Sequence, residues 1–279
     1  MILPQLDNKI MSSFLLLIDN KIQSKGGAFT NFSSQFYPIK NSYVQGQYAY
    51  SAPFRQLVND TSISGATVIS GVYLNGNYIN IGQSGLRSIN HYQGTLYFNN
   101  QLPHNTIISG NYSIKDFSIE ITDQPEYKLL YESSYIPSNK YNQTLSGLDL
   151  DVKTSPIIFL RTKNDNPEPF ALGGIENKKK TIRAIVIANT EYQRMAVCCV
   201  LKDMMYSPFY ITNDLPFDAV GNNTGINYNY NNLTRDLSYY PWIMKTKVID
   251  VPRAGDFKSL AKNVSFVDFE INILALHSY

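Results

Sequence analysis

Cysteine is scarce in this sequence, and its two copies, Cys198 and Cys199, are adjacent in a stretch that is typical of a helix. Neighbouring helical positions point in different directions and vicinal cysteines rarely pair, so no disulfide framework is expected. A chain without one is typical of a reducing compartment. No histidine or lysine is adjacent to stabilise a thiolate, and both cysteines are therefore predicted to be small core residues.

Histidine is also scarce, with copies at His91, His104 and His277. None has another ligand residue at the spacing of a known zinc motif, so no metal site is predicted from them. His91 and His104 are expected in loops or edge strands. Asp149 and Asp151 would share one face of an extended segment, where a solvated face is the default and a weak divalent-cation site is the alternative.

Two glycine-containing stretches fall short of motifs that carry chemistry. Gly82-Gln-Ser-Gly85 lacks the Gly-x-Ser-x-Gly spacing of a nucleophile turn, so a loop after a hairpin is expected. Gly173-Gly174 precedes a lysine-rich run instead of opening a helix after a strand, which argues against dinucleotide binding. The sequence therefore predicts no catalytic residue, no metal ligand and no cofactor.

Charge is low and balanced, at 16% charged residues and a formal net charge of +2. Lys178-Lys179-Lys180 is interpreted as a solvated loop, with a phosphate site as the less favoured alternative. Sequence-specific nucleic-acid binding usually needs a basic stripe, and none is expected here. The longest apolar run, from Phe14 to Ile18, is far shorter than the ~20 residues of a membrane helix. The start lacks the pattern of a signal peptide, so neither a membrane partner nor secretion by that route is expected.

Tyrosine is what the chain has in excess, with 21 copies against one tryptophan. Tyrosine supplies a large, rigid, amphipathic contact area at low entropic cost and is enriched at protein interfaces. It is concentrated in residues 25–66 and 213–240. The first segment is expected to be an irregular arm or set of loops whose aromatics dock on the chain or on a neighbour. The second is expected to be an extended loop or a segment that orders on contact.

Local patterns in the first half favour β structure. Asn75-Gly76, between two short apolar–polar alternations, predicts a type I′ hairpin. Further strands are predicted at 95–98 and over 110–122, where apolar residues alternate with polar ones. Residues 13–24 fit either a buried strand with a turn at Asp19-Asn20 or an amphipathic helix starting near Pro4, and the strand is favoured.

The second half predicts one strand-to-helix unit and two terminal strands. Residues 182–188 form a near-continuous apolar strand of the kind covered on both faces. Thr190 and Gln193 then form a capping box that opens a helix running to Met205. One helix side is expected to carry Met195, Val197, Cys198, Leu201 and Met205, with Arg194, Lys202 and Asp203 elsewhere. Strands at 243–251 and 264–274 follow.

These elements predict an α+β, predominantly β fold. Its body would be an antiparallel β-sandwich or barrel, with the capped strand–helix unit at 182–205 and long polar-aromatic loops. A chain of 279 residues can form one large or two modest domains. The predicted division is a β-rich domain at 1–165 with an arm-like N-terminal segment and an α+β portion at 166–279 closing with C-terminal strands. One continuous domain is the alternative.

Scattered segments resemble the virion structural proteins of tailed bacteriophages, particularly the contractile-tailed marine and cyanophage-like group. The segments are Met11-Ser-Ser-Phe-Leu-Leu-Leu-Ile-Asp-Asn-Lys, Gln35-Phe-Tyr-Pro38, Ile89-Asn-His-Tyr-Gln-Gly-Thr-Leu-Tyr-Phe98, Ile182-Arg-Ala-Ile-Val-Ile-Ala188 and Val267-Asp-Phe-Glu270.

The resemblance implies a non-enzymatic subunit of an oligomeric ring at the head–tail junction (neck or collar) or at the tail end. Its partners would be copies of itself and other neck or tail proteins, in a virion assembled in the host bacterial cytoplasm. The resemblance carries over no site residue. The alternative is a tail-fibre-attachment or host-glycan-binding module. An enzyme such as a glycan hydrolase would need two carboxylates roughly 5 to 9 Å apart across a groove, and no such pair stands out.

Overall fold

The computed structural model describes residues 5–44, 46–131, 135–136, 153–169, 176–213, 216–217, 223–251 and 262–275. Within these ranges the fold is predominantly β with three helices, which confirms the predicted fold class. The helices are α1 Leu6–Gly26, α2 Glu126–Tyr131 and α3 Glu191–Lys202. The strands are β1 Phe29–Val44, β2 Gln47–Ser51, β3 Gly71–Leu74, β4 Asn77–Asn80, β5 Leu86–Asn90, β6 Thr95–Phe98, β7 Ile108–Lys115, β8 Ser118–Ile121, β9 Tyr135–Ile136, β10 Lys153–Thr154, β11 Ile157–Pro169, β12 Glu176–Ala188, β13 Tyr239–Asp250 and β14 Asn263–Ala275.

A seven-stranded antiparallel sheet forms a nearly closed, barrel-like body in the order β4-β3-β7-β1-β2-β6-β5. Its interior is aromatic: Tyr112 is fully buried, and its ring centroid lies 5.8 Å from that of Phe36. The prediction of an irregular arm over residues 25–66 is wrong across β1 and β2. Alternating residues of β1, Phe32 and Phe36, face the interior, so aromatics supply the apolar face that aliphatic residues usually supply.

The predicted hairpin is confirmed between β3 and β4. Asn75 has φ 49° and Gly76 has φ 85°, and a type I′ turn requires positive φ at both central residues. Tyr73 lies directly opposite Tyr78 in the resulting register. The turn therefore fixes which side chains of the hairpin share a face.

A five-stranded sheet in the order β13-β14-β12-β11-β8 forms the second layer. Its pairings are antiparallel except for β8, which pairs parallel with β11. One face packs on α1 and α3, and α2 covers part of the other through Leu129 and Leu130. The predicted double coverage of the apolar strand at 182–188 is confirmed, and so are the two terminal strands.

Residues 6–26 form the long helix α1, so the favoured strand at 13–24 is wrong and the helical alternative is right. Ile10, Phe14 and Ile18 lie four residues apart and are completely buried. Leu15, Leu16 and Leu17 are buried as well, because neighbouring elements cover the helix on several sides. That all-round burial removes the single apolar stripe by which amphipathic helices are recognised.

The predicted strand-to-helix unit is confirmed, with three corrections on its helix. Thr190 Oγ1 accepts a hydrogen bond from the Gln193 backbone N–H at 3.2 Å, as an N-cap does, but Gln193 Oε1 has no hydrogen-bond partner among the described residues, so the second bond of the predicted capping box is not made. The helix ends at Lys202 instead of 205. Arg194 faces the core at 8% exposure while Met195 is 53% exposed, the reverse of the prediction. Arg194 is drawn inward because its guanidinium bonds to Asp250 and Ser265 on the terminal strands.

The stretch predicted as one strand over 110–122 is two strands in different sheets. β7 ends at Lys115 in the barrel-like sheet, and β8 begins at Ser118 in the five-stranded sheet. Residue 165, the predicted domain boundary, lies inside β11. The division into one or two domains stays a prediction.

A buried polar cluster joins α1 to the end of β7 and to the loops that carry Asp60 and Tyr228. The Asp19 carboxylate accepts hydrogen bonds from Lys115 Nζ at 2.9 Å, Gln23 Nε2 at 2.8 Å and the Tyr228 hydroxyl at 3.3 Å. Next to it, Asp60 accepts a hydrogen bond from Asn20 Nδ2 at 2.9 Å. The Asp19-Asn20 pair that suggested a turn is therefore a pair of buried hydrogen-bonding residues within a helix.

Candidate functional site

The two histidines that the structure describes, His91 and His104, do not converge on a metal site. His91 is 2% exposed in the turn after β5, with Nδ1 2.8 Å from the Gly225 carbonyl and Nε2 3.0 Å from the Ile69 carbonyl. The loop position is confirmed, and the burial was not predicted. Burial lowers the pKa of His91, against the opposing effect of its two backbone carbonyl partners. His104 is exposed in a loop, and His277 lies outside the described residues.

The cysteines are unpaired, and they differ in burial. Cys198 is buried on α3, and that burial raises the pKa of its thiol. Cys199 is exposed, so the prediction of a core position is right for Cys198 and wrong for Cys199. The Cys198 thiol is therefore held in its protonated, less reactive form.

Of the two other stretches predicted as loops, the glycine stretch is a turn and the lysine run is part of a strand. The stretch from Gly82 to Gly85 is a turn between β4 and β5, with positive φ at both glycines, as the loop prediction expects. The lysine run lies in β12 instead of a loop, and Lys180 is 4% exposed with its Nζ 3.1 Å from Asp7. Asp149, Asp151 and Gly173-Gly174 lie outside the described residues.

An exposed face of the barrel-like sheet is the strongest candidate for function. It consists of seven outward side chains, here called the uncharged face: Ser33, Gln35, Tyr37, Tyr73, Tyr78, Ser109 and Asn111. The strand register aligns Tyr78, Tyr73, Ser109 and Gln35 as one row across β4, β3, β7 and β1. Four strands spaced ~4.8 Å apart make this row roughly 14 Å long.

Two tyrosines dominate one end of the uncharged face. Tyr73 and Tyr78 are 36% and 48% exposed, and their rings meet edge to face at 5.1 Å. The Tyr78 hydroxyl lies 3.3 Å from the Ser70 hydroxyl. A Cβ added to Gly71 would lie 2.7 Å from the Tyr78 hydroxyl oxygen, so glycine is what allows this ring to lie across the strand. The two rings are thus held in a fixed arrangement on the surface.

The uncharged face offers hydrogen bonds and ring surface without ionic groups. Its side chains are hydroxyls, primary amides and phenols, which can all donate and accept. This mixture of tyrosine, serine and amide residues is typical of protein-binding surfaces. The sequence pattern that could have indicated the uncharged face is the period-two series Ser33, Gln35 and Tyr37. It lies in the segment predicted to be irregular.

The second tyrosine-rich segment packs on its own chain in its described part. The Tyr228 N–H donates to the Asn59 carbonyl at 2.8 Å, and the Tyr228 carbonyl accepts from the Thr61 N–H at 2.8 Å. Burial, followed by the nearby carboxylates of Asp19 and Asp60, raises the pKa of the Tyr228 hydroxyl well above its usual value. Over 223–230 the structure agrees with the predicted extended loop, and its contact is internal, so the alternative of a segment that orders on an external contact is wrong there.

No metal-binding cluster or membrane-spanning helix in the described residues, and no matching family or curated protein, indicates a function. Within the described residues there is no group of three or more His, Cys, Asp or Glu side chains that could hold a metal ion. None of the helices that the structure describes is long and apolar enough to cross a membrane. No family model matches this chain, and no curated protein matches it.

Proposed function

We propose that this chain is a non-enzymatic structural protein of a tailed-phage virion. It is a subunit of an oligomeric ring at the head–tail junction, in the neck or collar, or at the tail end, and it assembles in the host bacterial cytoplasm. Its partners are copies of itself and other virion proteins of the neck or tail. The observation that carries this proposal is the uncharged face, an exposed, ordered surface of the composition that protein interfaces favour.

The absence of charge on this face suits a contact between identical subunits. A charged contact patch would need a patch of opposite sign on the neighbour, because like charges that face one another destabilise a contact. Hydroxyl and amide groups avoid that repulsion, and they can pair with donors and acceptors on the different surface that the next copy presents in a ring. Stable interfaces bury about 800 Å² per partner, so the seven side chains would form the centre of a larger contact.

The test is the mass of the protein in solution, measured by light scattering over a range of concentrations. We expect a multiple of the 31.6 kDa chain mass. Tyr73→Glu combined with Gln35→Glu places carboxylates at the centre of the proposed contact and should yield monomers. The matched control is Tyr192→Glu, at a position 84% exposed on α3, which should leave the oligomer intact.

A persistent wild-type monomer that does not co-sediment with phage particles would contradict the proposal. A face variant that assembles as well as the Tyr192→Glu control would move the contact elsewhere on the surface.

A second candidate is a tail-fibre-attachment or host-glycan-binding module. The observation that favours it is the pair of exposed rings, Tyr73 and Tyr78, beside the amides of Gln35 and Asn111. Sugar rings stack on aromatic faces, and their hydroxyls bond to amides. Glycan-array binding that is lost in Tyr73→Ala and kept in Tyr192→Ala, by a protein that stays monomeric, would favour this function over assembly.

A further inference from the structure

A second feature lies away from the uncharged face, where α1 meets two segments of the second half of the chain. A cavity of about 320 Å³ opens between α1, residues 204–212 and residues 230–235. This volume is at the lower end of the range for small-molecule sites. Apolar side chains form its floor, since Leu17, Met204 and Phe209 are each at most 4% exposed.

Cations line the mouth of this cavity. Lys21 lines it from α1, and Arg235 lines it from the segment before β13, with its guanidinium carbon 3.6 Å from the centre of the Tyr210 ring. Neither cation forms an ion pair with any residue in the described part of the chain. No carboxylate is among the twelve lining residues, so the lining carries two positive charges and no negative charge.

Two carboxylates of the described residues adjoin the cavity lining and are engaged elsewhere. Asp60 lies behind the wall and accepts hydrogen bonds from Asn20 Nδ2 at 2.9 Å and from the Tyr230 N–H at 3.0 Å. Asp236 follows Arg235 in sequence, but its carboxylate faces Lys9 at 4.0 Å. Neither carboxylate lines the cavity, so neither competes for Lys21 or Arg235 there.

A hydroxyl donor completes the wall. Tyr230 lines the cavity, and burial, reinforced by Asp60 and opposed by Arg235, raises the pKa of its hydroxyl to about 12. The hydroxyl therefore stays protonated at neutral pH and can donate a hydrogen bond. An anionic acceptor in this cavity would therefore find two cations and this donor among the lining residues.

We infer that this cavity binds a small amphiphilic anion. The anionic group, a carboxylate or a phosphate, would lie between Lys21 and Arg235, and the apolar body would lie on Leu17, Met204 and Phe209. The two cations favour an anion, and the apolar floor favours an apolar body. The inference does not depend on the proposed virion function, because none of the lining residues belongs to the uncharged face.

Isothermal titration calorimetry with four probes tests the inference on the full chain. Hexanoate and hexyl phosphate carry both required parts, hexanol lacks the charge, and acetate lacks the apolar body. We expect at least one of the two six-carbon anions to bind at least about tenfold more tightly than hexanol and acetate. The better of the two identifies the preferred anionic group.

Paired variants locate the binding. Lys21→Gln with Arg235→Gln should weaken binding of the preferred anion by at least about tenfold. The control is Lys25→Gln, an exposed lysine of the same helix, which should leave binding unchanged. If the double variant loses its circular dichroism spectrum, Arg235→Gln alone serves, because Arg235 is an exposed residue. Hexanol binding as tightly as the anions, no binding of either anion, or unchanged affinity in the folded variant would each overturn the inference.

Discussion

Lys115 Nζ lies 2.9 Å from both carboxylate oxygens of Asp19, and this ion pair links the last residue of β7 to the middle of α1. The side chain of Asp19 is 2% exposed and that of Lys115 is 13% exposed. The pair therefore connects the barrel-like sheet to the helix that packs on the five-stranded sheet, and it does so in a setting from which water is excluded.

Replacing Lys115 with methionine should destabilise the protein by about 3 to 5 kcal/mol, because the Asp19 carboxylate would stay buried without its counter-ion. Urea denaturation measures this free energy. The control is Lys245→Met, which breaks an exposed pair with Glu270 at 3.5 Å and should cost at most about 1 kcal/mol. Equal denaturation midpoints for the two variants would show that the buried pair contributes no more than an exposed one.

The buried His91 side chain should lower the free energy of unfolding in mild acid. Burial, aided by the charge of Lys115, lowers its pKa below the ordinary value of 6.5. Between the folded pKa and 6.5, the unfolded chain binds more protons than the folded chain, so the free energy of unfolding decreases as pH falls. His91→Gln removes this contribution. The variant should be less stable at neutral pH, and its stability should fall less steeply below about pH 6.5. Parallel stability curves for wild type and variant would contradict this.

Tyr112 predicts a loss of stability at the alkaline end. Burial raises its pKa from 10.0 to about 12, against the opposing hydrogen bond with Ser34. Above pH 10 the unfolded chain releases the phenol proton first, so up to about 3 kcal/mol of stability should be lost between pH 10 and 12. Tyr112→Phe cannot ionise, so its denaturation midpoint should fall less than that of wild type over this range. Identical falls in both proteins would assign the alkaline loss to other groups.

Gly225 should resist substitution more strongly than Gly76, although both glycines have positive φ. Its φ is 73°, and an added Cβ would lie 2.1 Å from Asn90 Oδ1. Gly76 has φ 85° with no atom within 4 Å of its Cβ position, so Gly76→Ala measures the backbone strain alone, about 1 kcal/mol. Gly225→Ala should cost more than this. It should also speed amide hydrogen exchange at Tyr228 and His91, whose N–H groups donate to the Asn59 and Gly225 carbonyls. Equal costs would mean that Asn90 moves aside freely.

Patterns that depend on a few adjacent residues were predictable from the sequence. The turn at Asn75-Gly76 and the cap at Thr190 are fixed by local backbone geometry and by one local hydrogen bond. Their surroundings hardly alter them.

Features set by distant partners were not predictable. Helix α1 lost its recognisable period because Leu15 and Leu16 are covered by elements far away in sequence. The Arg194 side chain points into the core because it donates hydrogen bonds to Asp250 and Ser265, which lie 56 and 71 residues further along the chain. The uncharged face was missed for the same reason: Tyr73 and Gln35 become neighbours only through β7.

The crossing at Asp116 and Phe117 has a mechanical consequence. These two residues alone separate β7 from β8, and Phe117 is fully buried while Asp116 accepts a hydrogen bond from Thr30 at 2.7 Å. The short connection, its buried contacts and the Lys115–Asp19 ion pair together restrict rotation of one sheet relative to the other. A force applied to the uncharged face would therefore reach the five-stranded sheet almost without a hinge. The described parts of the two sheets would then move together as one rigid unit.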